Sequence, residues 1–357
     1  MVDRYAIDRH KMGYHVGRVN DWLEKKPVFP IYIEVSPMGA CNHRCTFCAV
    51  DYIGYQTRSL DTEIFKTRLA EMGHLGIKSI MYAGEGEPLL HKNLSQIINH
   101  TKSCGIDVSV TTNAVLLTAK WAQDTLGAIS WVKVSINAGS PENYAQIHQT
   151  HKKDFDTVLR NLEEAVKIRN KKGFKCTIGS QMVLLPENRH EALTLTKQMK
   201  SIGVDYLVIK PYSQHKFSRT RLYENIDYNG YESIRDELRS FNDENFSVIF
   251  RENAITKLAE TNHYYLKCQA TPYFWAYIMA DGSLYGCSAY LLNEKFCYGN
   301  IIENSFLEVW DGEKRRKNIK FVEEELEITE CRKNCRMDEV NRFLWDLSHP
   351  PEHVNFI

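Results

Sequence analysis

Three cysteines, Cys41, Cys45 and Cys48, lie close together with the spacing C-x3-C-x2-C. Thiolates this close on one loop are suited to holding a metal centre. A 4Fe–4S cluster normally takes four protein ligands, so three cysteines would leave one iron free to bind a small molecule. Chance is a weak explanation, because ten cysteines in 357 residues would give such a triple in fewer than roughly 1 in 100 chains. The spacing therefore predicts a metal centre with one open position.

Two other interpretations of the triple are weaker. A zinc knuckle would use the same residue types, but His43 lies inside the triple and no second C-x2-C pair follows at the distance of a zinc finger. Unrelated buried or disulfide-bonded cysteines are the other alternative. The cysteines of this chain, however, fall into clusters with ligand spacing in a sequence of intracellular character, which favours metal ligation over disulfides.

A second group of four cysteines lies further along the chain: Cys268, Cys287, Cys331 and Cys335. Between the first two, the sequence ADGSLYGCS predicts a hairpin with a two-residue type I′ turn at Asp281–Gly282. Four thiolates would complete one 4Fe–4S cluster without an open position, and a structural zinc ion is the alternative. Of the remaining cysteines, Cys104 and Cys176 are predicted to be core residues. Cys297 is an alternative ligand or a hydrogen-atom donor.

Short apolar runs alternate with amphipathic segments from residue 31 onwards. The amphipathic segments include Thr62–Met72, Leu94–Lys102 and Phe155–Lys171. The predicted strands are Ile31–Ser36, Ser79–Gly84, Asp107–Asn113, Trp131–Asn137, Thr177–Leu184 and Tyr206–Pro211. Six strands separated by helices predict right-handed βαβ units and an α/β fold with a parallel sheet. Because six repeats are fewer than a closed barrel needs, we expect a partial (β/α)6 TIM-like barrel with the first cysteines at its catalytic edge.

The sequence divides into four predicted parts. Residues 1–30 form an N-terminal extension, and residues 31–212 form the partial barrel. Residues 213–260 begin as a polar linker and contain a closing helix, Tyr231–Ser240, and a strand near Ser247–Phe250. Residues 261–357 form a small C-terminal α+β domain that carries the second cysteine group.

The charge balance excludes some partners. Lysine plus arginine and aspartate plus glutamate each number 45, so the formal net charge is zero. Without a basic field we expect no nucleic-acid partner. No apolar run reaches the ~18–20 residues of a membrane span, and the charged N-terminus lacks the apolar region of a secretory signal. We therefore expect no membrane association and a cytoplasmic location.

The sequence SPMGACNHRCTFCAVDY around the first cysteines resembles the cluster-binding loop of radical S-adenosylmethionine (SAM) enzymes. The likeness covers nearly all of residues 31–211. In that family, SAM binds the open iron through its amino and carboxylate groups. The stretch AGEGEP resembles the family's Gly-Gly-Glu-Pro motif, with Gly86 and Glu87 matching and Glu85 replacing the usual glycine. The resemblance implies a SAM-binding 4Fe–4S cluster, SAM itself, and a one-electron reductant of the flavodoxin or ferredoxin type.

Other strand ends carry residues that the resemblance assigns to the SAM pocket. Ser135 matches the serine of the family's Ser-x-Asp-Gly segment, and Asn137 stands where aspartate is common. Phe47 occupies a position where an aromatic ring often packs against adenine. Asn113 and Gln181 are further candidates for contacts with SAM. Turn formation is the alternative for the two asparagines, and a satisfied polar core position is the alternative for Gln181.

The spacing C-x13-G-x4-C from Cys268 and the stretch YGNIIENSFLEVWDGEK resemble the auxiliary-cluster domains called SPASM and Twitch. A full SPASM domain has seven cysteines and two clusters, so four cysteines resemble the shorter Twitch version with one auxiliary 4Fe–4S cluster. The resemblance implies reductive SAM cleavage to a 5′-deoxyadenosyl radical, hydrogen-atom abstraction, and oxidation of the substrate radical by the auxiliary cluster. Such an oxidation needs a base, and Lys210, Tyr212 and His215 are the candidates.

The sequence says less about the substrate. We predict a small molecule or a carbohydrate-derived compound, with a ribosomally made peptide as the alternative. Peptide modifiers often carry an added leader-binding domain, for which the residues before the first strand are too few. A non-enzymatic iron–sulfur electron carrier is the alternative of another class, but a carrier needs no SAM pocket, so the strand-end motifs argue against it.

Overall fold

A single sheet of ten strands organises the part of the chain that the computed structural model describes, residues 4–260 and 262–356. The strands are β1 (Tyr32–Val35), β2 (Ser79–Tyr82), β3 (Asp107–Thr112), β4 (Ile129–Ser135), β5 (Thr177–Leu184), β6 (Tyr206–Pro211), β7 (Ser247–Phe250), β8 (Trp275–Ile278), β9 (Ser283–Tyr285) and β10 (Cys297–Asn300). Their order in the sheet is β10-β9-β8-β1-β2-β3-β4-β5-β6-β7. Pairing is parallel from β8 through β1 to β7, and antiparallel between β8, β9 and β10.

Helices follow most of the strands. The α-helices of the described residues are α1 (Val16–Leu23), α2 (Thr62–His74), α3 (Leu94–Ser103), α4 (Ala119–Thr125), α5 (Pro141–His148), α6 (Lys152–Lys172), α7 (Ala192–Ile202), α8 (Tyr231–Arg239), α9 (Glu252–Ala259), α10 (Thr271–Phe274), α11 (Phe306–Trp310), α12 (Glu313–Glu324) and α13 (Asp338–Ser348). Their ends follow ordinary capping rules: the Asp61 carboxylate accepts from the Ile64 N–H at the start of α2, and α6 ends at the left-handed Gly173. Within the described ranges, every helix is too short or too polar to cross a bilayer.

The alternation of side chains along each strand separates the main core from the interior of the barrel. Val132 and Val134 of β4 are fully buried in the core that the helices cover, whereas Lys133 between them points to the opposite face. The same alternation applies to β5 and β6. We call this inner face, with its polar side chains, the lumen.

The predicted α/β partial barrel is confirmed. All six predicted strands are present, with ends within two residues of the prediction, and β5 and β6 have the predicted bounds. The closing helix and strand of residues 213–260 are α8 and β7, and β7 extends the parallel sheet beyond β6. The parallel order follows from the βαβ connections, which place helices over the outer face.

The C-terminal part does not form a sheet of its own. Its first strand, β8, pairs in parallel with β1, with Tyr32 opposite Trp275 and Val35 opposite Ile278. The antiparallel pair β9 and β10 then continues outward from β8. The four-part division of the chain remains a prediction, and the sheet runs without a break across its last boundary.

The N-terminal segment closes the lower end of the lumen. Tyr5 and Ile7 pack against Tyr206 and Val208 of β6 and Ile249 of β7. A Cβ atom on Gly179 of β5 would lie 2.1 Å from the Tyr206 ring, so glycine at this position lets the ring cross the floor of the barrel. The floor is therefore apolar, and the polar part of the lumen lies above it.

The hairpin between β8 and β9 differs from the prediction. A type I′ turn needs positive φ at both central residues, but of Asp281 and Gly282 only Gly282 has one, at 85°. The Gly282 N–H donates to the carbonyl of Met279, and the Met279 N–H donates to the carbonyl of Ser283, both at 2.9 Å. The connection therefore has three residues, 280–282, and the type I′ prediction is wrong. An Asp-Gly pair also suits a three-residue loop that ends in a left-handed glycine.

Candidate active site

The first cysteine loop lies between β1 and α2 and packs against the loop after β2. The Glu87 N–H donates to the carbonyl of Ala40 at 2.9 Å. A Cβ atom on Gly86 would lie 2.2 Å from that same carbonyl. Only glycine fits so close to another backbone segment, so the loop after β2 fixes the position of the cysteine loop.

Each of the three sulfur atoms has a hydrogen-bonding partner. The partners are the backbone N–H of His43 for Cys41 (3.4 Å), Nδ1 of His148 for Cys45 (3.3 Å), and the Tyr55 hydroxyl for Cys48. Burial raises the pKa of Cys41 to about 11, and it also raises the pKa values of the other two thiols. Three thiolates at this place are therefore unfavourable unless a positively charged group lies between them. That donor set fits an iron–sulfur cluster.

His148, the last residue of α5, donates its hydrogen bond to Cys45 in only one tautomer. Its Nε2 accepts from the backbone N–H of Asn137 at 3.3 Å. A neutral imidazole that accepts at Nε2 carries its proton on Nδ1, so Nδ1 donates to the sulfur. Burial lowers the pKa of His148 well below its usual value, which keeps the ring neutral. The ring also stacks on Tyr144, with centroids 4.2 Å apart, and this fixes its orientation.

The strand ends around the cysteine loop are tied together by buried polar side chains. The Glu87 carboxylate accepts from the Thr112 hydroxyl at 2.5 Å and from the Asn113 N–H at 2.8 Å. The Asn113 amide in turn donates to Asn42 of the cysteine loop at 2.7 Å. These predicted SAM-binding residues thus have a scaffolding role in this structure, and contact of their side chains with SAM remains a prediction.

Ser135 and Asn137 lie together at the end of β4. The Asn137 amide donates to the Ser135 hydroxyl at 3.2 Å, and its Oδ1 accepts from the Val183 N–H at 2.6 Å. Its backbone carbonyl accepts from Asn188 at 2.8 Å. The side chain and backbone of Asn137 therefore have hydrogen-bond partners inside the protein, and through these bonds Asn137 positions Ser135 and His148.

Three side chains of the lumen have no hydrogen-bond or ion-pair partner among the described residues: Lys133 of β4, Gln181 of β5 and Lys210 of β6. The strand register places Lys133 beside Gly179, Gln181 beside Ser135, and Lys210 beside Val183. The three side chains therefore lie on the lumen face in three successive rows. Burial lowers the pKa of Lys133 to about 8 and that of Lys210 to about 7. Free polar groups in such a place are available for a ligand.

The other residues predicted near the end of β6 differ in their surroundings. The Tyr212 hydroxyl donates to Gln214 at 3.1 Å. The Nδ1 atom of His215 accepts from the Phe217 N–H at 3.2 Å, and burial lowers the pKa of His215 to about 4. Phe47 packs edge-on against His148, with centroids 5.8 Å apart.

The second group of cysteines comes from three separate segments: before α10, after β9, and before α13. Burial is the main cause that raises the pKa of Cys287, and the thiols of Cys335, Cys268 and Cys331 add to the shift. The four sulfur atoms therefore lie near one another. Asn341 of α13 donates to the Cys268 sulfur at 3.5 Å, and its Oδ1 accepts from the N–H groups of Gln269 and Ala270. Four clustered thiols suit a closed cluster.

Neither cysteine group is spaced for a single metal ion. In a tetrahedral zinc site with metal–sulfur distances of about 2.3 Å, the sulfur atoms lie roughly 3.8 Å apart. Among the described residues, the one trio of candidate ligand atoms that all lie within 4.8 Å of one another is His43, Cys45 and His148. No three sulfur atoms of either group meet that limit. The wider spread favours a polynuclear cluster over zinc in both places.

Two family models match the chain. One describes the radical SAM superfamily and matches residues 35–199, which include the first cysteine group. The other describes an iron–sulfur cluster-binding domain, SPASM, and matches residues 268–336, which include the second group. The chain therefore carries a radical SAM domain followed by a SPASM domain. Its cofactors are accordingly SAM, the 4Fe–4S cluster of the radical SAM domain, and auxiliary iron–sulfur bound by the SPASM domain.

Curated relatives of this radical SAM chain include enzymes with different reactions. A GTP 3′,8-cyclase of Chlorobaculum tepidum is 26% identical over 213 residues, which are 58% of this chain and 60% of that protein. A dTDP-4-amino-4,6-dideoxy-D-glucose ammonia-lyase of Streptomyces venezuelae is 27% identical over 179 residues, 48% of this chain and 36% of that protein. The matched part of the chain thus spans 60% or less of these relatives.

Solved structures share the fold at low identity. Streptococcus suis SuiB bound to the precursor peptide SuiA has a TM-score of 0.64 at 18% identity, covering 86% of this chain and 71% of that one. The protein anSMEcpe with bound AdoMet and the Kp18Cys peptide has a TM-score of 0.58 at 16% identity, covering 88% of both chains. These radical SAM structures support the partial barrel with its C-terminal extension.

Glu85, which stands where radical SAM proteins usually have glycine, joins the two parts of this chain. Its carboxylate accepts from Arg58 at 3.2 and 3.1 Å and from the Ala280 N–H at 3.1 Å. Arg58 also pairs with Asp281 at 2.9 Å. Glu85 is buried, and the network links the loop after β2 to the hairpin of the SPASM part.

Sequence reasoning missed several residues of this radical SAM site. His148 and Tyr55 contact sulfur atoms of the first cysteine group, and Lys133 lies in the lumen. Tyr55 has left-handed backbone geometry after Gly54, which is uncommon for a bulky residue and is not indicated by the sequence. Lys133 lies at an alternating position of a predicted strand, and a lysine on the inner face of a barrel strand is itself unusual. The contact of His148 depends on the end of α5, which no sequence pattern revealed.

Proposed function

We propose that this radical SAM enzyme abstracts a hydrogen atom from a small-molecule or carbohydrate-derived substrate in the lumen and oxidises it. One observation carries the proposal: three thiols, each with its own hydrogen-bonding partner, lie at the edge of a lumen that holds unpartnered polar side chains. When bound, SAM and the two clusters supply a 5′-deoxyadenosyl radical and an acceptor for the electron that is left on the substrate.

The roles of the protein residues follow from their places. Cys41, Cys45 and Cys48 would hold the first cluster, and Gly86 keeps their loop at the strand ends. We propose that the Ser135 hydroxyl and the Gln181 amide contact SAM, because both lie on the lumen face. The apolar floor under Tyr206 excludes water from the lower end of the barrel.

The other residues that were predicted to contact SAM are proposed to support its pocket. Glu87, Asn113 and Asn137 are held inside the protein by their own hydrogen bonds, so they position the pocket that Phe47 borders. The four cysteines of the SPASM part would hold one auxiliary 4Fe–4S cluster of the Twitch type, because this chain has four candidate ligands there. A closed set of four ligands suits electron transfer better than substrate binding.

Oxidation of the substrate also requires loss of a proton. Lys210, Tyr212 and His215 are the predicted acceptors. The basic nitrogen of His215 is occupied by the Phe217 N–H, and burial raises the pKa of the Tyr212 hydroxyl. Lys210 has a free amine, and its pKa of about 7 leaves part of it unprotonated at neutral pH. Of the three, Lys210 suits proton removal best.

The names of the relatives support a small substrate more than a peptide. The cyclase and the ammonia-lyase named above have names that specify GTP and a dTDP-sugar, and both are more than 25% identical to this chain. SuiB and anSMEcpe were solved with peptides, but at 16–18% identity they support the fold alone. A peptide substrate is therefore the second proposal.

The test is SAM cleavage by the anaerobically reconstituted, reduced full chain. We expect formation of 5′-deoxyadenosine, measured by liquid chromatography, and none from a Cys45→Ala variant prepared in the same way. A protein that carries its full iron and sulfide content but forms no 5′-deoxyadenosine with any substrate mixture would favour the electron-carrier alternative.

A further inference from the structure

The lumen contains more positive charge than the protein neutralises. Lys133 and Lys210 have no ion-pair or hydrogen-bond partner in the described residues. The charges that act on Lys210 are those of Lys133, Arg251 and Arg332, all positive. Arg251 is itself paired, because its Nε donates to Asp8 at 3.0 Å. Both lysines are partly buried, and a cation that is partly withdrawn from water without a partner costs stability, so the site has a reason to exist other than folding.

Arg332 brings a third unpaired charge from the SPASM part. Its Nε is buried and has no hydrogen-bond partner, and none of its guanidinium nitrogens forms an ion pair with the residues described. It lines a cavity of about 320 Å³ together with Tyr212 and the auxiliary ligand Cys331. Tyr212 lies two residues after Lys210 on the same strand end. The cavity is large enough for part of a small molecule.

The alternation of side chains along the strands is enough to place both lysines on the lumen face. Leu207 and Ile209 of β6 are buried in the main core, so Lys210 lies on the opposite, lumen face. Gly179 lies beside Lys133 in the sheet, and the Tyr206 ring occupies the space where its side chain would lie, so Lys133 lies next to the floor of the lumen. A ligand that extends from the cavity past Lys210 toward Lys133 would meet all three cations.

We propose that the substrate carries a phosphate or diphosphate group, which Lys133, Lys210 and Arg332 hold inside the lumen. Three cations without a carboxylate partner match a group with two or more negative charges better than a single carboxylate. The inference rests on the proposed function, because it names the substrate class of the same lumen. It requires no new chemistry, since the group is bound and not transferred.

The test measures binding of inorganic diphosphate by calorimetry to the anaerobically reconstituted full chain with SAM present. We expect roughly 10-fold or greater weakening in Lys133→Met, Lys210→Met and Arg332→Met, because each variant loses a charge-assisted hydrogen bond. Lys210→Arg should bind about as well as wild type, because it keeps the charge. A lysine that pairs with the anion stays protonated, and arginine does not give up its proton, so retained substrate oxidation by Lys210→Arg would assign Lys210 to anion binding and exclude it as the base. Lys120→Met, on the exposed face of α4, is the matched control.

Thermal stability provides a second test. If the lysines had only a structural role, the change in melting temperature would have the opposite sign. Without diphosphate, Lys133→Met and Lys210→Met should melt at a higher temperature than wild type, because each removes an unpaired, partly buried charge. Diphosphate should raise the melting temperature of wild type and leave these variants nearly unchanged. Lower melting temperatures for both variants would show that the lysines have a structural role and would overturn the proposal.

Other outcomes also decide between explanations. Mutual exclusion of diphosphate and SAM would assign the cations to the SAM carboxylate and overturn the proposal. Equal affinity for acetate would indicate a single carboxylate, such as one from a peptide, and would overturn the phosphate assignment. Diphosphate binding without 5′-deoxyadenosine formation would leave the anion site intact and remove the proposed reaction.

Discussion

The two cysteine groups use the same ligand chemistry in different structural settings. The first has three cysteines on one loop, and that loop depends on a glycine-rich neighbour and on the parallel strand ends. The second has four cysteines from three segments, and it depends on a hairpin and on Asn341 of α13. We propose that ligand number separates their functions, because three thiols on a 4Fe–4S cluster leave a position for SAM and four do not. Because their structural settings differ, we also expect the two groups to respond differently to mutations in the residues around them.

The largest difference should appear when one ligand is removed from the first group. Cys45→Ala should reduce the iron content from roughly eight to roughly four atoms per chain and abolish 5′-deoxyadenosine formation. Iron analysis with electron paramagnetic resonance measures the first effect. Cys104→Ala, outside both groups, should change neither. Full SAM cleavage by Cys45→Ala would contradict the assignment of the open site.

The reciprocal change tests the closed site. Cys335→Ala should also reduce the iron content to roughly four atoms, but SAM cleavage should continue because the first cluster is intact. Oxidised product should be lost while 5′-deoxyadenosine still forms, which chromatography of one reaction mixture can show. If this variant completes substrate oxidation at the wild-type rate, the second group has no role in electron transfer.

A smaller effect is expected from the loop that supports the first group. Gly86→Ala places a methyl group against the Ala40 carbonyl, and we expect a loss of about 1–3 kcal/mol in the free energy of unfolding. The loaded variant should lose first-cluster iron and keep the second cluster. Gly17→Ala is the control, since nothing lies within 4 Å of that position and alanine favours the helix there. Equal stability of the two variants would disprove the tight contact.

The finest distinction concerns the reduction potentials. His148→Phe keeps an aromatic ring beside Tyr144 but removes the N–H donor to Cys45. A donor to a sulfur stabilises the more negative, reduced cluster, so we expect the first cluster to become harder to reduce by on the order of 50 mV. Redox titration followed by electron paramagnetic resonance should show no change in the second cluster. Equal shifts in both clusters would indicate a general structural effect.

Local patterns predicted much of this molecule. The strands of the barrel were predicted from apolar runs, because parallel strands are buried on both faces, and both cysteine groups were predicted from spacing. The pairing of β8 with β1 was not predicted, because pairing between strands that are distant in the sequence leaves no local pattern. Lys133 and Arg332 belong to one charged site only through the fold. The partnership of His148 with Cys45 depends in the same way on how α5 meets the cysteine loop.

The pairing of β8 with β1 also affects how the barrel could be dissected. If the chain were cut before β8, the backbone N–H and carbonyl groups of Tyr32–Val35 would lose their partners along one side. An open, flat strand of this kind invites pairing with other copies and aggregation. The SPASM part therefore serves as an edge cover for the barrel as well as a cysteine site. A shortened catalytic fragment would need a replacement strand or charged residues along β1 to stay monomeric.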